Sequence, residues 1–421
     1  MKSLKIRINK KDHTWFVILF IFLMENCFKL INTNSINISG VFAYSDIWLG
    51  LFILFFGLKY IKYLPIKSKY TYSALLILME LSCCIAAIQQ NFYTGQSMSL
   101  GIRPQRNFMI ILLSYFVIRK MSDHLDINWD KLLNAMLLWG TLSAVLYIAQ
   151  KIAYPSVQFL YALMNYRNGT LRIYVDSALI DIAILIASYK YFSEYKRRYL
   201  CTVLIGFVYL FWVSQGRMEI ISILFGVAVG FLVTRKLDKK KFILWFCVIL
   251  LIAVFFSTEY GTQLVTAITS AKTLTTEQGN TMAIRYIGRE RYFEQLFSSA
   301  RSLIFGCGYP NSLYAPATYR AGFDLNIGLN DNGIFGFFYV YGLLGVGAII
   351  AIMLVAVKMS IKIYKSEKNS LPLMYLAMIL LMAYNVIFWY WNADGTFILV
   401  LMLCYIEAKY RECKFEADKK E

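Results

Sequence analysis

Apolar residues fill twelve segments of this chain, near 14–31, 41–59, 71–89, 107–119, 131–150, 173–190, 199–213, 217–234, 242–257, 333–357, 372–390 and 394–408. A helix crossing a bilayer needs about 20 largely apolar residues. Each segment therefore reads as a span, the fourth and seventh being short. Most connections are brief, as for helices that turn back at each surface. Residues 258–332 are different, a stretch of 75 residues between the ninth and tenth spans. Loops of that length are uncommon and usually functional. Within it, 281–300 has helical periodicity. Ile284, Ile287, Tyr292 and Leu296 fall on one side, with Arg285 and Arg289 four apart on another. A short amphipathic helix lying on the membrane surface is expected there.

Composition sharpens the class. Of 421 residues, 59% are hydrophobic and 16% charged, more apolar surface than a soluble domain of this size could hide. The expected fold is all-α, a polytopic integral membrane protein of about twelve helices forming one domain over residues 1–421. No internal repeat or low-complexity linker divides it.

The net charge of +18 would suggest nucleic acid in a soluble protein. Here it follows the positive-inside pattern, so no nucleic-acid partner is expected. Segments assigned to the inside carry 30 Lys or Arg, of which 24 are lysine. Those assigned to the outside carry 12, of which 10 are arginine. Both termini are then cytoplasmic. Arginine held outside against the lysine signal needs another reason, and binding an anion supplies one.

Arg217 is the first candidate. It follows Ser214-Gln215-Gly216 at the outer start of the eighth span. A helix N-terminus offers free N–H groups, and a guanidinium beside it adds a bidentate phosphate clamp. The alternative is an interfacial arginine snorkelling to headgroups. Arg285 and Arg289 could grip a second anion, or form a solvated stripe, while Arg291 points elsewhere. Arg172, near the outer start of the sixth span, precedes Asp176 by four residues and could pair with it. Asp331, within Asn330-Asp331-Asn332-Gly333, is placed to act as a base or to cap the tenth span. Asp181 and Glu80 are intramembrane carboxylates, and Glu219 suits a first helical turn. Both histidines, His13 and His124, fall inside. No outer Asp-x-Asp offers metal ligands, and no zinc spacing, disulfide framework or nucleophile elbow is present, so no metal or cofactor is expected.

Three motifs around the long loop carry a resemblance. They are Ser214-Gln215-Gly216-Arg217-Met218-Glu219, Phe305-Gly306-Cys307-Gly308-Tyr309, and Asn330-Asp331-Asn332-Gly333 running into Tyr341-Gly342-Leu343-Leu344-Gly345. In that order, over roughly residues 165–350, the chain resembles the Wzy-type polysaccharide polymerases and O-antigen ligases of bacterial surface-polymer assembly, whose fold is GT-C-like. The resemblance implies a metal-independent glycosyltransferase at the outer face of the cytoplasmic membrane. It would join oligosaccharides carried on undecaprenyl pyrophosphate, with inversion. Arg217, Arg285, Arg289 and Arg172 would hold the pyrophosphate, and Asp331 with Arg217 would be catalytic. Its partners would be the lipid-linked oligosaccharide, the bilayer and, within an assembly machinery, a chain-length regulator and a flippase. Ligases typically carry histidine where this chain has Asp331, which favours a polymerase. A ligase-like transferase and a flippase or exporter are the rivals. Transporters place substrate at the midplane between repeats, whereas these arginines gather at one surface.

Overall fold

The computed structural model describes residues 12–33, 37–38, 42–63, 70–167, 170–174, 178–234, 250, 281–384 and 392–418. The ninth expected span, apart from Leu250, and residues 258–280 of the long connection lie outside the described residues. The helices are α1 (Thr14–Met24), α2 (Tyr44–Lys62), α3 (Ser73–Thr94), α4 (Met98–Ile102), α5 (Arg106–Asp123), α6 (Trp129–Ala153), α7 (Ala178–Glu194), α8 (Arg197–Val208) and α9 (Arg217–Val233). After the gap come α10 (Thr281–Leu296), α11 (Ala300–Phe305), α12 (Ala315–Ala321), α13 (Ile334–Glu367), α14 (Leu371–Met382) and α15 (Ala393–Asp418). A helix lies at each of the other eleven expected spans. Five are long and apolar enough to cross a membrane: α2, α3, α6, α8 with its π-helical extension to Ser214, and α13. Helices α1 and α14 are apolar but shorter. The protein is a mostly helical, membrane-embedded one.

Three details depart from expectation. Strands β1 (Asn37–Ile38) and β2 (Phe42–Ala43) form one small antiparallel pair, and β3 (Leu163–Arg167) with β4 (Thr170–Tyr174) another. The chain is thus not purely α. Arg172 sits on β4 rather than at a helix start, because Arg167 pairs with Thr170 across the two-residue Asn168-Gly169 connection. Asn-Gly is a strong hairpin signal, and it overrides helix periodicity at that point. Helix α1 ends at Met24 instead of running to 31. The backbone takes positive φ from Asn26 to Lys29, where a 3₁₀ turn replaces the last turns. Helix α13 is broken at Gly342, at φ 61° and ψ −163°.

The bundle has two chemically distinct ends. At one, Lys62 pairs with Asp126, Lys131 with Asp12, and His124 stacks on Tyr63. There too the buried Glu407 of α15 accepts from Thr71 and from Tyr115, and it lies against Arg119 of α5 at 3.4 Å and Arg411 at 2.8 Å. This lysine end holds the starts of α1 and α3 and the ends of α2 and α5. The opposite, arginine end gathers the starts of α7, α9 and α13 with the ends of α3 and α6.

Helices α7 and α15 run through the middle. Residues 178–188 and 394–408 are buried without a break, which a helix apolar on every side achieves only when surrounded by others. Lipid-facing helices such as α2 keep Leu54, Leu58 and Ile61 exposed, as expected when the solvent is hydrocarbon.

Candidate functional site

Helix α8 does not stop where its α-helical bonds do. Its last turn widens into π-helix over Tyr209–Ser214, Gln215 donates to the Leu210 carbonyl at 2.9 Å, and Gln215 adopts left-handed φ 53°. Helix α9 then begins at Arg217 with Gly216 as N-cap and no side chain capping it. Glu219 in the first turn folds back and accepts from Ser214 Oγ. A Cβ on Gly216 would come 2.3 Å from Glu219 Oε2, so glycine at this cap is what lets the carboxylate return. The strap from Ser214 to Arg217 is held from outside as well. Arg172 Nε donates to the Ser214 carbonyl at 2.8 Å while its guanidinium lies 4.4 Å over the Tyr174 ring. Lys151 donates to the Trp212 carbonyl. Asp176, the partner expected for Arg172, lies outside the described residues; Arg172 itself stands on β4 and fastens the strap that presents Arg217.

Asp181 of α7 is buried, and its Oδ1 has no hydrogen-bond partner. The free N–H groups at the start of α7 are capped by carboxylates from distant parts of the chain. Ala178 N donates to Asp394 Oδ2 at 3.0 Å, and Leu179 N to Glu25 Oε1 at 3.2 Å. Neither residue is among the candidates read from the sequence; the signal for each is a carboxylate within an apolar segment, costly there unless it has such a task. Glu80 stands apart in α3, half-buried, with Oε1 unpartnered.

The second arginine group sits on α10. The amphipathic helix expected over 281–300 ends at Leu296, and it packs on α13 rather than lying free. Gly288, Tyr292 and Leu296 form its buried stripe, with Tyr292 stacked on Tyr339 at 4.4 Å. Ile287, expected on that face, is 45% exposed. Gly288 takes its place because a Cβ there would meet Ile327 at 2.6 Å. Arg285 reaches Asp331 Oδ1 at 3.3 Å. Arg289 reaches the Tyr384 hydroxyl at 3.2 Å and stands 4.5 Å over Phe335. Asp331 does not cap the following helix, whose N-cap is Gly333 with no side-chain bond. It occupies a 3₁₀ turn, Asn330–Asn332, with its carboxylate turned to Arg285.

Helix packing carries Arg217 toward this group. Helices α9 and α14 run antiparallel. A Cβ on Gly226 would meet the Met374 carbonyl at 2.8 Å and Met378 Cβ at 3.3 Å, and one on Gly230 would meet Met374 Sδ at 2.5 Å. The start of α9 therefore stands beside the end of α14, two residues before Tyr384. Ala383 at that end accepts from Ile334 N at 2.8 Å, which fixes α13 there too.

Four further arginines at this end have structural work. Arg291 donates to the carbonyls of Tyr319 and Arg320. Arg301 stacks 3.6 Å over Phe92 and donates to Gln89. Arg320 stacks 4.1 Å over Tyr93 and donates to Gln295. Arg106 pairs with Asp46. Cation–π contacts of this kind tie the loop helices to α3. Arg217, Arg285 and Arg289 are the anion-binding candidates that the sequence named and that the fold keeps at this end. A scan against models of known protein families finds no match for this chain, and a comparison with curated proteins finds none either.

Proposed function

We propose that this protein is a multi-pass membrane glycosyltransferase, with about twelve spans if all its apolar segments cross, that polymerises oligosaccharides carried on a polyprenyl pyrophosphate. The observation behind this reading is that Arg217 stands on the first turn of α9, at the same end of the bundle as Arg285 and Arg289. A helix N-terminus and guanidinium forks are what a pyrophosphate leaving group requires as its charge develops. One phosphate would sit at the α9 terminus on Arg217, the other on Arg289 or Arg285. The acceptor hydroxyl attacks the anomeric carbon from the face opposite the leaving oxygen. A carbon–oxygen bond to the sugar forms as the bond to pyrophosphate breaks, with inversion. The hydroxyl proton goes to Asp331, which the bound anion frees by competing for Arg285. The arginine end would face away from the cytoplasm, because the lysine end carries the positive-inside signal.

Gel analysis of lipid-linked glycans from cells with and without the protein tests this. Loss of the ladder, with single repeat units left on the carrier, is the polymerase outcome. Long chains that persist on the carrier without reaching their final acceptor would make it a ligase. Unchanged pools would refute both.

A further inference from the structure

The β3–β4 hairpin exposes apolar side chains on the face it turns away from the bundle. Successive strand residues point to opposite sides. Met164 and Ile173 form a cross-strand pair on the inward face, where Ile173 and Leu171 are buried. The next pair, Leu163 and Tyr174, belongs to the outward face with Asn165 and Arg172, and both of its members are exposed. A hairpin bathed in water places polar residues on its outer face. This one places a leucine and a tyrosine there.

Helix α6, which leads to the hairpin, shows what meets that face. It exposes Leu138, Leu142, Val145 and Ile152, which at about 3.6 residues per turn fall on one stripe, the lipid-facing side of a spanning helix. Its 25 residues rise about 37 Å, against about 30 Å of hydrocarbon, so its last turn stands at the boundary. Beyond that turn the exposed surface changes type. Tyr166 of β3 lies 6.4 Å from Tyr154, Lys151 stands 5.3 Å over Trp212, and Arg172 covers Tyr174. Tyrosine and tryptophan flanked by cations are the side chains that settle where lipid meets water, rings at headgroup level and charges among the phosphates.

We propose that the β3–β4 hairpin, with Tyr154 and Trp212 beside it, is a lipid-docking surface seated in the phospholipid headgroup layer at the arginine end of the bundle. The lipid-facing stripe of α6 runs into it without a break in chain. Through Arg172, which donates to the Ser214 carbonyl, the seated hairpin holds the strap that presents Arg217 at the level of the phosphates. This docking is independent of the reaction the arginines serve.

Photo-crosslinking tests this on the full-length protein in nanodiscs of phosphatidylcholine and phosphatidylglycerol, with p-benzoylphenylalanine in place of Leu163. Mass spectrometry should find the hairpin peptide carrying the added mass of one phospholipid. Crosslinks to a second copy of this chain, or the absence of any lipid adduct, overturn the proposal. Should that variant fail to fold, wild-type protein decides alone. Under hydroxyl-radical footprinting in the same nanodiscs, Tyr166 should be oxidised several-fold more slowly than Tyr319 of α12. The two rings are exposed to nearly the same degree, 64% and 67%, so only lipid cover separates them. Equal oxidation of the two overturns it.

Discussion

Gly306 and Gly342 lie back to back. A Cβ on Gly342 would stand 2.4 Å from Gly306 N, and one on Gly306 would stand 2.3 Å from the Val340 carbonyl. Both take positive φ, 77° and 61°. The loop Gly306-Cys307-Gly308 thereby adds two backbone bonds onto α13, Cys307 N to Tyr339 O at 2.7 Å and Gly308 N to Val340 O at 3.2 Å. The break in α13 at Gly342 is where the long connection is anchored to the bundle. Gly342→Ala should lose about 3 kcal/mol or more, from left-handed strain plus a clash with backbone that cannot yield. Thermal unfolding in detergent measures it, and a variant as stable as wild type would contradict the interlock.

Arg217→Lys keeps the charge and loses the fork. If Arg217 clamps a phosphate in two-point fashion, the lysine variant should lose polymer about as severely as Arg217→Ala, by roughly 100-fold. Both should melt near the wild-type temperature, since Arg217 is only half-buried at a helix start. Ladder intensity at matched protein level is the readout, and full activity in the lysine variant would reduce Arg217 to a point charge.

The Arg285–Asp331 pair separates stability from activity. Asp331 is 60% exposed, so Asp331→Asn should change stability by less than about 1 kcal/mol. It should nevertheless cut polymer yield by about 100-fold or more if the carboxylate takes the acceptor proton. Normal yield in Asp331→Asn would move the base elsewhere.

Glu407 should behave in the opposite way. It is fully buried with Arg119, itself 2% exposed, and satisfies Thr71 just before α3, Tyr115 of α5 and Arg411 of α15 at once. Glu407→Ala leaves a buried guanidinium with Asp123 alone and should destabilise by about 3–5 kcal/mol. A melt and the yield of monodisperse protein check this. Any loss of polymer should follow the loss of protein.

Cys307 offers a probe of the folded loop. Burial pushes its thiol up to about 11, against the opposing pull of Arg320. The thiol is therefore protonated at neutral pH, and its alkylation should rise only as pH climbs toward that value. Exposed Cys201 should react with maleimide at pH 7 while Cys307 stays unmodified until the protein is denatured. Equal labelling of the two in folded protein would mean that the loop is not docked on α13.

The helical, membrane-embedded class, the positions of eleven helices, the start of α9 at Arg217 and the helix over 281–296 were readable from one dimension. Each depends on a local signal: a run of apolar residues long enough to cross lipid, a Gly before a helix, or arginines one turn apart. The hairpin was equally local, since Asn168-Gly169 is its signal, but apolar periodicity beyond Tyr174 masked it. The pairings were decided only in three dimensions. Glu25 and Asp394 cap a helix from 154 and 216 residues away. Arg285 meets Asp331 from 46 residues away. Several arginines at that end, Arg172, Arg301 and Arg320 among them, turned out to be fasteners on aromatic rings, which no spacing could announce. Burial and hydropathy act residue by residue and so can be read along a chain. The partner of a charge depends on which helices pack together, and that is set by the whole bundle.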